Sequence, residues 1–358
     1  MAFTGRLNNN EILNALFNMI ISQHVFGDNI AGTKSELVDM SRVDGSLYGD
    51  TKLYYSPDVL KSHPWGNPDL EGMNLLAVDR PKAPECQAIT IDTFRQIRLT
   101  LDNYLSKRAW SDESSFSQFN SIMLSTMSDT KRIYDATTFN AYVGTVETEV
   151  GKQKLTVDVT SATAGLSGEE KARVEAGVIA EAIAKLIVDL KDVSRAYNDY
   201  GQLKSYNIDD LVFVWNSDAV IKIEKRDLPT VYHKEIMDKF GEFTLPGRYF
   251  GTVNVGETAG DGETVFSLIE QDLVDGSHVF AGELIPEGVN APAGTSYTTD
   301  NTILFKVMHR NSIPYMSAFE AGTSFVNARS LNENNYLTWG HNKPEYLKRY
   351  PMITVRQA

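Results

Sequence analysis

LLAVDRPKAPECQAITIDTFRQIRLTLDNYLSKRAW, running from Leu75 to Trp110, contains a long stretch of hydrophobicity with period two. Leu75, Leu76 and Val78 precede a turn region at Pro81 and Pro84; Ile89 and Ile91 follow, and then Ile97, Leu99 and Leu101 alternate with Gln96, Arg98 and Thr100. Successive side chains of a strand point to opposite faces, so such alternation marks a half-buried β-ribbon. Residues 73–105 are therefore expected as two ribbon arms joined at the proline-rich bend. Little neighbouring sequence could cover both faces, so the ribbon is expected to protrude.

Upstream, Ile12, Leu16 and Ile20 stand beside Leu13, Phe17 and Ile21 at helical spacing, which predicts a short docking helix over 9–22. From Phe26 to Asn67 the periodicity disappears. Glycines and prolines punctuate a polar run with isolated large residues such as Val38, Leu47, Tyr54 and Trp65. A connection this long is rare inside a compact domain, and its aromatics argue against simple disorder. Fully extended, about forty residues would reach roughly 130 Å, beyond their own subunit.

Downstream, Ser111, Asp112 and Glu113 form a helix start. Phe116, Phe119, Met123, Met127, Ile133, Tyr134 and Ala141 then follow on one stripe until Gly144, which is expected to end the helix. About thirty residues make a rod near 45 Å. Ser167 and Glu170 match a capping box before Ala176, Ile179, Ile183, Leu186, Leu190, Val193 and Tyr197, with Gly201 as the stop. Leu211–Trp215 is continuously apolar, as a buried strand would be, and Asn216, Ser217 and Asp218 turn it into a short helix. Gly247 to Phe305 is rich in Gly, Thr, Val and Pro and predicts hairpins with little helix.

The 358 residues suffice for two or three compact units, and 42% apolar with 23% charged residues is the balance of a folded protein. Lys plus Arg total 34 against 47 Asp plus Glu, a formal net charge of −13. Such a surface disfavours direct phosphate-backbone binding, which needs a basic face. The single cysteine, Cys86, excludes an internal disulfide and fits a reducing compartment. The apolar stretch Ile12–Ile21 is interrupted by Asn14 and Asn18 and reads neither as a signal peptide nor as a membrane span.

Catalytic and ligand motifs are incomplete wherever they begin. Gly256, Gly260 and Gly262 lack a following Lys, and Glu257, Asp261 and Glu263 would repel phosphate, so a hairpin tip is the reading. His233 beside Lys234 and Glu235 is not a helical zinc motif. Ser277 next to His278 lacks the glycines of a nucleophile elbow. Asp209 and Asp210 are a pair expected by chance in so acidic a chain. The methionine and aromatic stripe over residues 116–134 is core packing rather than a cofactor site. No catalytic residue, cofactor or metal is expected.

The order of elements, with the strings Leu75–Trp110, FSQFNSIMLSTMSDTKRIYDATTFNAYVGT at Phe116–Thr145, LVFVWNSDAVIKI at Leu211–Ile223 and SFVNARSLNENNYLTWG at Ser324–Gly340, resembles the major capsid proteins of tailed bacteriophages. That fold is shared with encapsulins and herpesvirus shells. The resemblance implies an α+β, Hong Kong phage-type capsid fold. Its parts would be an N-terminal arm (1–48), an extended loop (49–104), a spine helix with the peripheral domain (105–150), an axial domain (151–227), a β-rich return (228–330) and a C-terminal segment (331–358). It further implies a self-assembling subunit of the virion capsid, forming hexamers and pentamers of an icosahedral shell around double-stranded DNA and built in the host cytoplasm. DNA would be a non-specific neighbour, and the acidic balance would keep it from adhering to the lining. A portal and a separate scaffolding protein, or none, are the implied partners, since the arm begins within a few residues of Met1; no membrane is involved. Lys52, Lys61 and Lys82 lie in the loop segment, but nothing marks partners for the inter-subunit cross-links of some relatives.

The candidate assembly residues are Ile12, Leu16, Phe17, Tyr54, Trp65, Leu75, Ile97, Leu99, Lys131 and Arg132. Two other readings stay open: another virion protein, such as a tail-tube or decoration protein, or a hydrolase using two carboxylates roughly 5 to 10 Å apart.

Overall fold

A computed structural model describes residues 36–45, 49–62, 78, 80–101, 113–219, 243–254 and 264–358, with backbone only for 113–120. The expected docking helix over 9–22, with Ile12, Leu16 and Phe17, lies outside the described residues, as do Trp65, Leu75, Ser111, His233 and Gly256–Gly262.

β3 (Glu85–Leu101) is one unbroken strand of 17 residues. The alternation holds, with Gln87, Ile89, Ile91 and Leu101 buried and Thr90, Arg98 and Thr100 exposed. Its partner differs from the expected hairpin arm: Val78 is in no strand and is 75% exposed. Instead β3 pairs antiparallel with β14 (Asn332–Asn342), from Leu101↔Glu333 to Ile91↔Asn342, and on its other side with β2 (Thr51–Ser56). Prolines 81 and 84 cannot donate to a ladder, whereas the eleven residues of β14 supply a full row of donors and acceptors. β13 (Tyr315–Asn327) and β1 (Arg42–Asp44) complete the sheet in the order β1-β13-β14-β3-β2.

The end of the expected arm is not outstretched. In α1 (Glu36–Met40), Leu37 and Val38 are buried against Phe139, Val143 and Tyr315, and β1 pairs parallel with β13. A short helix carrying two adjacent apolar residues reaches a core of its own chain, so part of the 26–67 run is structured within the subunit.

α2 (Glu113–Thr145) is the rod expected from the stripe. Met127, Tyr134 and Ala141 are buried, but so are Asp135, Thr138, Asn140 and Val143, so its second half is covered on several sides. Tyr134 stands edge-on to Trp339 at 5.8 Å, with the Arg95 guanidinium 5.1 Å from its ring centre. Gly144 does not end the helix, which runs to Thr145. It lies where the backbone of Tyr249 passes so closely that a Cβ would sit 2.0 Å from the Tyr249 carbonyl oxygen.

The second sheet has the order β4-β15-β12-β5-β6: Lys154–Val157, Met352–Gln357, Ile303–His309, Leu211–Asn216 and Phe243–Leu245. All six residues of β5 are buried, as its apolar run predicts, and the Asn216 side chain accepts the Asp218 amide at 3.1 Å where the chain turns helical. Two α-helices lie between β4 and β5 in the chain. α3 (Val159–Ala162) is capped by Asp158, which accepts the Ser161 amide at 2.9 Å.

α4 (Gly168–Lys191) lays Ala176, Ile179, Ile183, Leu186 and Leu190 on the sheet. Its capping box does not form: Ser167 is the N-cap residue without a side-chain bond, and Gly168 enters the helix at φ +61. The left-handed glycine turns the chain in, and Glu169 and Glu170 still meet the positive end of the helix dipole. The helix also stops before Val193 and Tyr197. Asp192 is its C-cap, and Ser194 bridges Lys204 instead.

Between β6 and β12 lies a small β unit, as the Gly- and Pro-rich composition predicts. β7 (Gly251–Val253), β11 (Ser296–Thr299) and β8 (Val265–Ser267) form one sheet, and β9 (Gln271–Asp272) with β10 (His278–Val279) forms a hairpin. Val265, Leu273, Val279 and Ile285 give it a core of its own.

Candidate assembly interface

Five of the ten candidate residues are described. Tyr54 turns inward: it packs with Ile89, Ile91, Met316, Leu347 and Tyr350, and burial raises the pKa of its phenol. The outward residues of β2 are its neighbours, Leu53 at 53% and Tyr55 at 57% exposure. One position in a strand exchanges faces, and since Leu53, Tyr54 and Tyr55 are all apolar-bodied, the sequence carried no signal for which face was outside. Val59 and Leu60 continue the uncovered run.

Ile97 and Leu99 are half-buried on the side of β3 that also carries Arg95, the residue touching Tyr134 of α2. Lys131 is engaged within the chain, its ammonium 2.6 Å from Glu320 Oε2 of β13, while Arg132 faces outward. One turn on, Asp135 is buried between three elements. It accepts a 2.7 Å bond from the Tyr315 hydroxyl and a 3.2 Å bond from Arg42 of β1. Beside it, Tyr134 and His341 Nε2 are 2.7 Å apart, with His341 Nδ1 on the Asn342 carbonyl. Removing Arg42 would leave a buried carboxylate without its cation. Arg42→Ala is therefore expected to cost about 2 kcal/mol, discounted because the guanidinium is partly wet, as read by urea unfolding of the isolated subunit. Arg42→Lys should recover only part of this.

The far end of the sheet was not singled out from the sequence as an interface. β13 and β14 continue to a hairpin tip where Phe325, Val326 and Leu331 are 61%, 64% and 53% exposed. Leu331 has φ +56, the only non-glycine with positive φ among the described residues. The Leu331 amide bonds the Asn327 carbonyl at 2.8 Å, and the Asn327 side chain accepts the Arg329 amide at 3.0 Å, so the tip is held firmly. The adjacent pair Phe325–Val326 breaks strand alternation and was the available signal.

Chemistry-bearing groups converge little. Ser277 gives its hydroxyl to Asp275 rather than to His278, which lies between Asp272 (2.8 Å) and Glu270 (3.3 Å). Among the described residues no group of three or more His, Cys, Asp or Glu could hold a metal, and no helix is long and apolar enough to cross a membrane.

Two solved phage structures share this architecture at low sequence identity. The capsid structure of Staphylococcus phage Andhra matches with a TM-score of 0.61 at 10% identity, covering 94% of this chain and 87% of that one. A chain in the structure of the head fiber and inner core protein gp22 of native bacteriophage P68 matches with a TM-score of 0.58 at 11% identity, covering 89% and 83%. No curated protein matches by sequence. At such identities the likeness shows the fold, the tailed-phage capsid fold expected from the order of elements. The family model for the Phi29-like phage major capsid protein matches residues 4–342. A spine helix on a long sheet, an uncovered hairpin tip and a family match over nearly the whole chain lead to one identity: this chain belongs to the Phi29-like phage major capsid proteins and is a subunit of the virion shell.

Proposed function

We propose that copies of this chain form pentamers and hexamers that tile an icosahedral shell around double-stranded DNA, and that the subunit does so without catalysing a reaction. One observation carries this beyond family membership. Large apolar side chains stand uncovered at two places far apart in sequence, Leu53–Leu60 with Val78 and Phe325–Leu331. Clustered exposed apolar groups mark interaction surfaces in soluble proteins. In this reading residues 1–48 are an arm whose last part, 36–45, is seated on its own subunit, and 49–104 a loop that is rooted in its own sheet through β2 and β3 and laid on a neighbour; 105–150 are the spine, 151–227 the axial domain, 228–330 the β-rich return and 331–358 the closing segment. Ile12, Leu16, Phe17, Trp65 and Leu75 would then contribute to contacts between copies. A separate scaffolding protein, a portal and assembly in the host cytoplasm belong to the same reading.

Leu331 tests it. A left-handed backbone costs an L-residue about 1–2 kcal/mol relative to glycine, and such strain concentrates at functional positions. Leu331→Gly is expected to raise the unfolding free energy of the isolated subunit by about 1 kcal/mol while lowering particle yield about tenfold, since roughly 1.4 kcal/mol of lost contact changes association by that factor. Electron microscopy with thermal unfolding reads both. A variant that assembles like the wild type would remove the hairpin tip from the interface, and rods or rings in place of closed shells would favour a tail-tube role.

A further inference from the structure

A groove of about 410 Å³ opens between β1 and β2, walled by Val43, Leu53 and Tyr54 and floored by Arg310, Arg349 and Tyr350. Its lining holds three arginines and, among the described residues, no carboxylate. Arg42 is committed to Asp39 and Asp135, whereas Arg310 and Arg349 form no ion pair among the described residues. Arg349 stands over the Tyr350 ring, 5.8 Å from its centre, and its charge is felt nearby: burial and then the Arg349 charge lower the pKa of Lys204 to about 8. In a chain of net charge −13 this groove is a local excess of positive charge. It is small for a helix and suits the few side chains of a loop tip.

The same chain presents a complementary knob. Val274, at the tip of the β9–β10 hairpin, is 85% exposed, the highest value for a large hydrophobic side chain among the described residues. It is flanked by Asp272, whose side chain is 81% exposed and meets His278, and by Asp275. The tip is rigid before any contact. Leu273 is buried in the core of the small β unit, its amide bonds the Ser277 carbonyl at 2.8 Å, and Ser277 bonds Asp275 through amide and hydroxyl at 2.9 and 2.6 Å. Pre-organisation of this kind lowers the entropic cost of docking. No described residue of 251–299 lines the groove, and the knob residues Asp272–Ser277 are not among its walls.

We propose that the β1–β2 groove receives the β9–β10 hairpin tip of a second copy, with Val274 against Leu53, Tyr54 and Tyr350 and with Asp272 and Asp275 facing Arg310 and Arg349. Knob and groove are different surfaces, so the contact is head-to-tail and can close a ring or propagate; opposite charges fix its register. It rests on the reading that copies of this chain associate.

Two single-cysteine proteins in a Cys86→Ser background test it, one carrying Val274→Cys and the other Leu53→Cys with a size tag. Both sites are exposed, so neither change threatens folding. The concentrated mixture is oxidised and the tagged and untagged chains resolved by mass. The expected result is a mixed disulfide at least tenfold above a control pairing Val274→Cys with Val188→Cys. Arg349→Glu in the groove partner should cut the product about fivefold, and Asp275→Lys in the knob partner should restore it. No product above the control, or indifference of the yield to Arg349→Glu, would each overturn the proposal. Electron microscopy of the same samples judges assembly separately: shells without the link sink this contact alone, and a link without shells counts against shell formation alone.

Discussion

Gly144→Ala is expected to destabilise the isolated subunit by more than about 3 kcal/mol, while Gly177→Ala stabilises it by about 1 kcal/mol. Gly177 sits in a helix interior, where alanine is ordinarily favoured by roughly 1 kcal/mol, and Gly144 stands one residue before the end of α2, where that preference is weaker. Gly177 has nothing within 4 Å of a built Cβ, so the propensity gain is realised. At Gly144 the new carbon would lie 2.0 Å from the carbonyl oxygen and 2.6 Å from the carbonyl carbon of Tyr249. These are backbone atoms of the turn Gly247–Tyr249, which cannot rotate aside as a side chain would. Relief requires separating that turn from α2 and opening the cluster of Phe139, Val143, Tyr249 and Phe250, and overpacking a core costs about 1–3 kcal/mol before any such rupture. Urea unfolding of the two variants beside the wild type checks this. Equal effects at the two glycines would show that α2 does not need the close approach.

Stability of the unassembled subunit is expected to rise by about 2 kcal/mol between pH 7 and 9, and Lys306→Met is expected to remove most of that slope. Lys306 is fully buried on β12 between Thr354 of β15 and Val214 of β5. Among the described residues its ammonium has one acceptor, the Val146 carbonyl at 2.7 Å. The nearby Glu147 and Asp300 carboxylates are drawn to Arg356. Burial pushes the Lys306 pKa down to about 7, from about 10.4 in an unfolded chain. Between those values the unfolded state holds a proton that the folded state has released, so stability climbs with pH at up to about 1.4 kcal/mol per unit. Lys204, lowered to about 8, acts in the same direction but more weakly, being more exposed. Tyr134 and Tyr315, raised chiefly by burial, act in the opposite sense, and only once unfolded tyrosines ionise near pH 10, where their burial begins to cost stability and the window closes. Methionine leaves the Val146 carbonyl bare, at about 1–3 kcal/mol, yet carries no titration. Denaturant midpoints at pH 7, 8 and 9 would overturn the expectation if the two proteins kept parallel slopes.

Elements whose signal is local were legible. The face of β3, the burial of β5, the rod of α2 and the stripe of α4 all follow from periodicity, because a strand or helix sorts its own side chains before it meets a partner. Terminators were less legible. Gly144 reads as a stop but answers to Tyr249, and Ser167 reads as a capping hydroxyl but yields to Gly168. Side-chain surroundings were not legible residue by residue: Tyr54 turns in, Lys131 pairs with Glu320, and the exposed side chains of the hairpin tip near Leu331 were not singled out.

The amino-acid sequence by itself determined the rod of α2, the apolar stripe of α4, the face of β3, the burial of β5 and the net acidic charge. Only the tertiary structure decided that β3 pairs with β14, some 240 positions away, on one side and with β2 on the other, and that residues 36–45 return to their own core. The physical reason is that periodicity reports how a segment meets some other surface, whereas the identity of that surface depends on ladders, close approaches and buried charges that exist only once distant parts of the chain have come together.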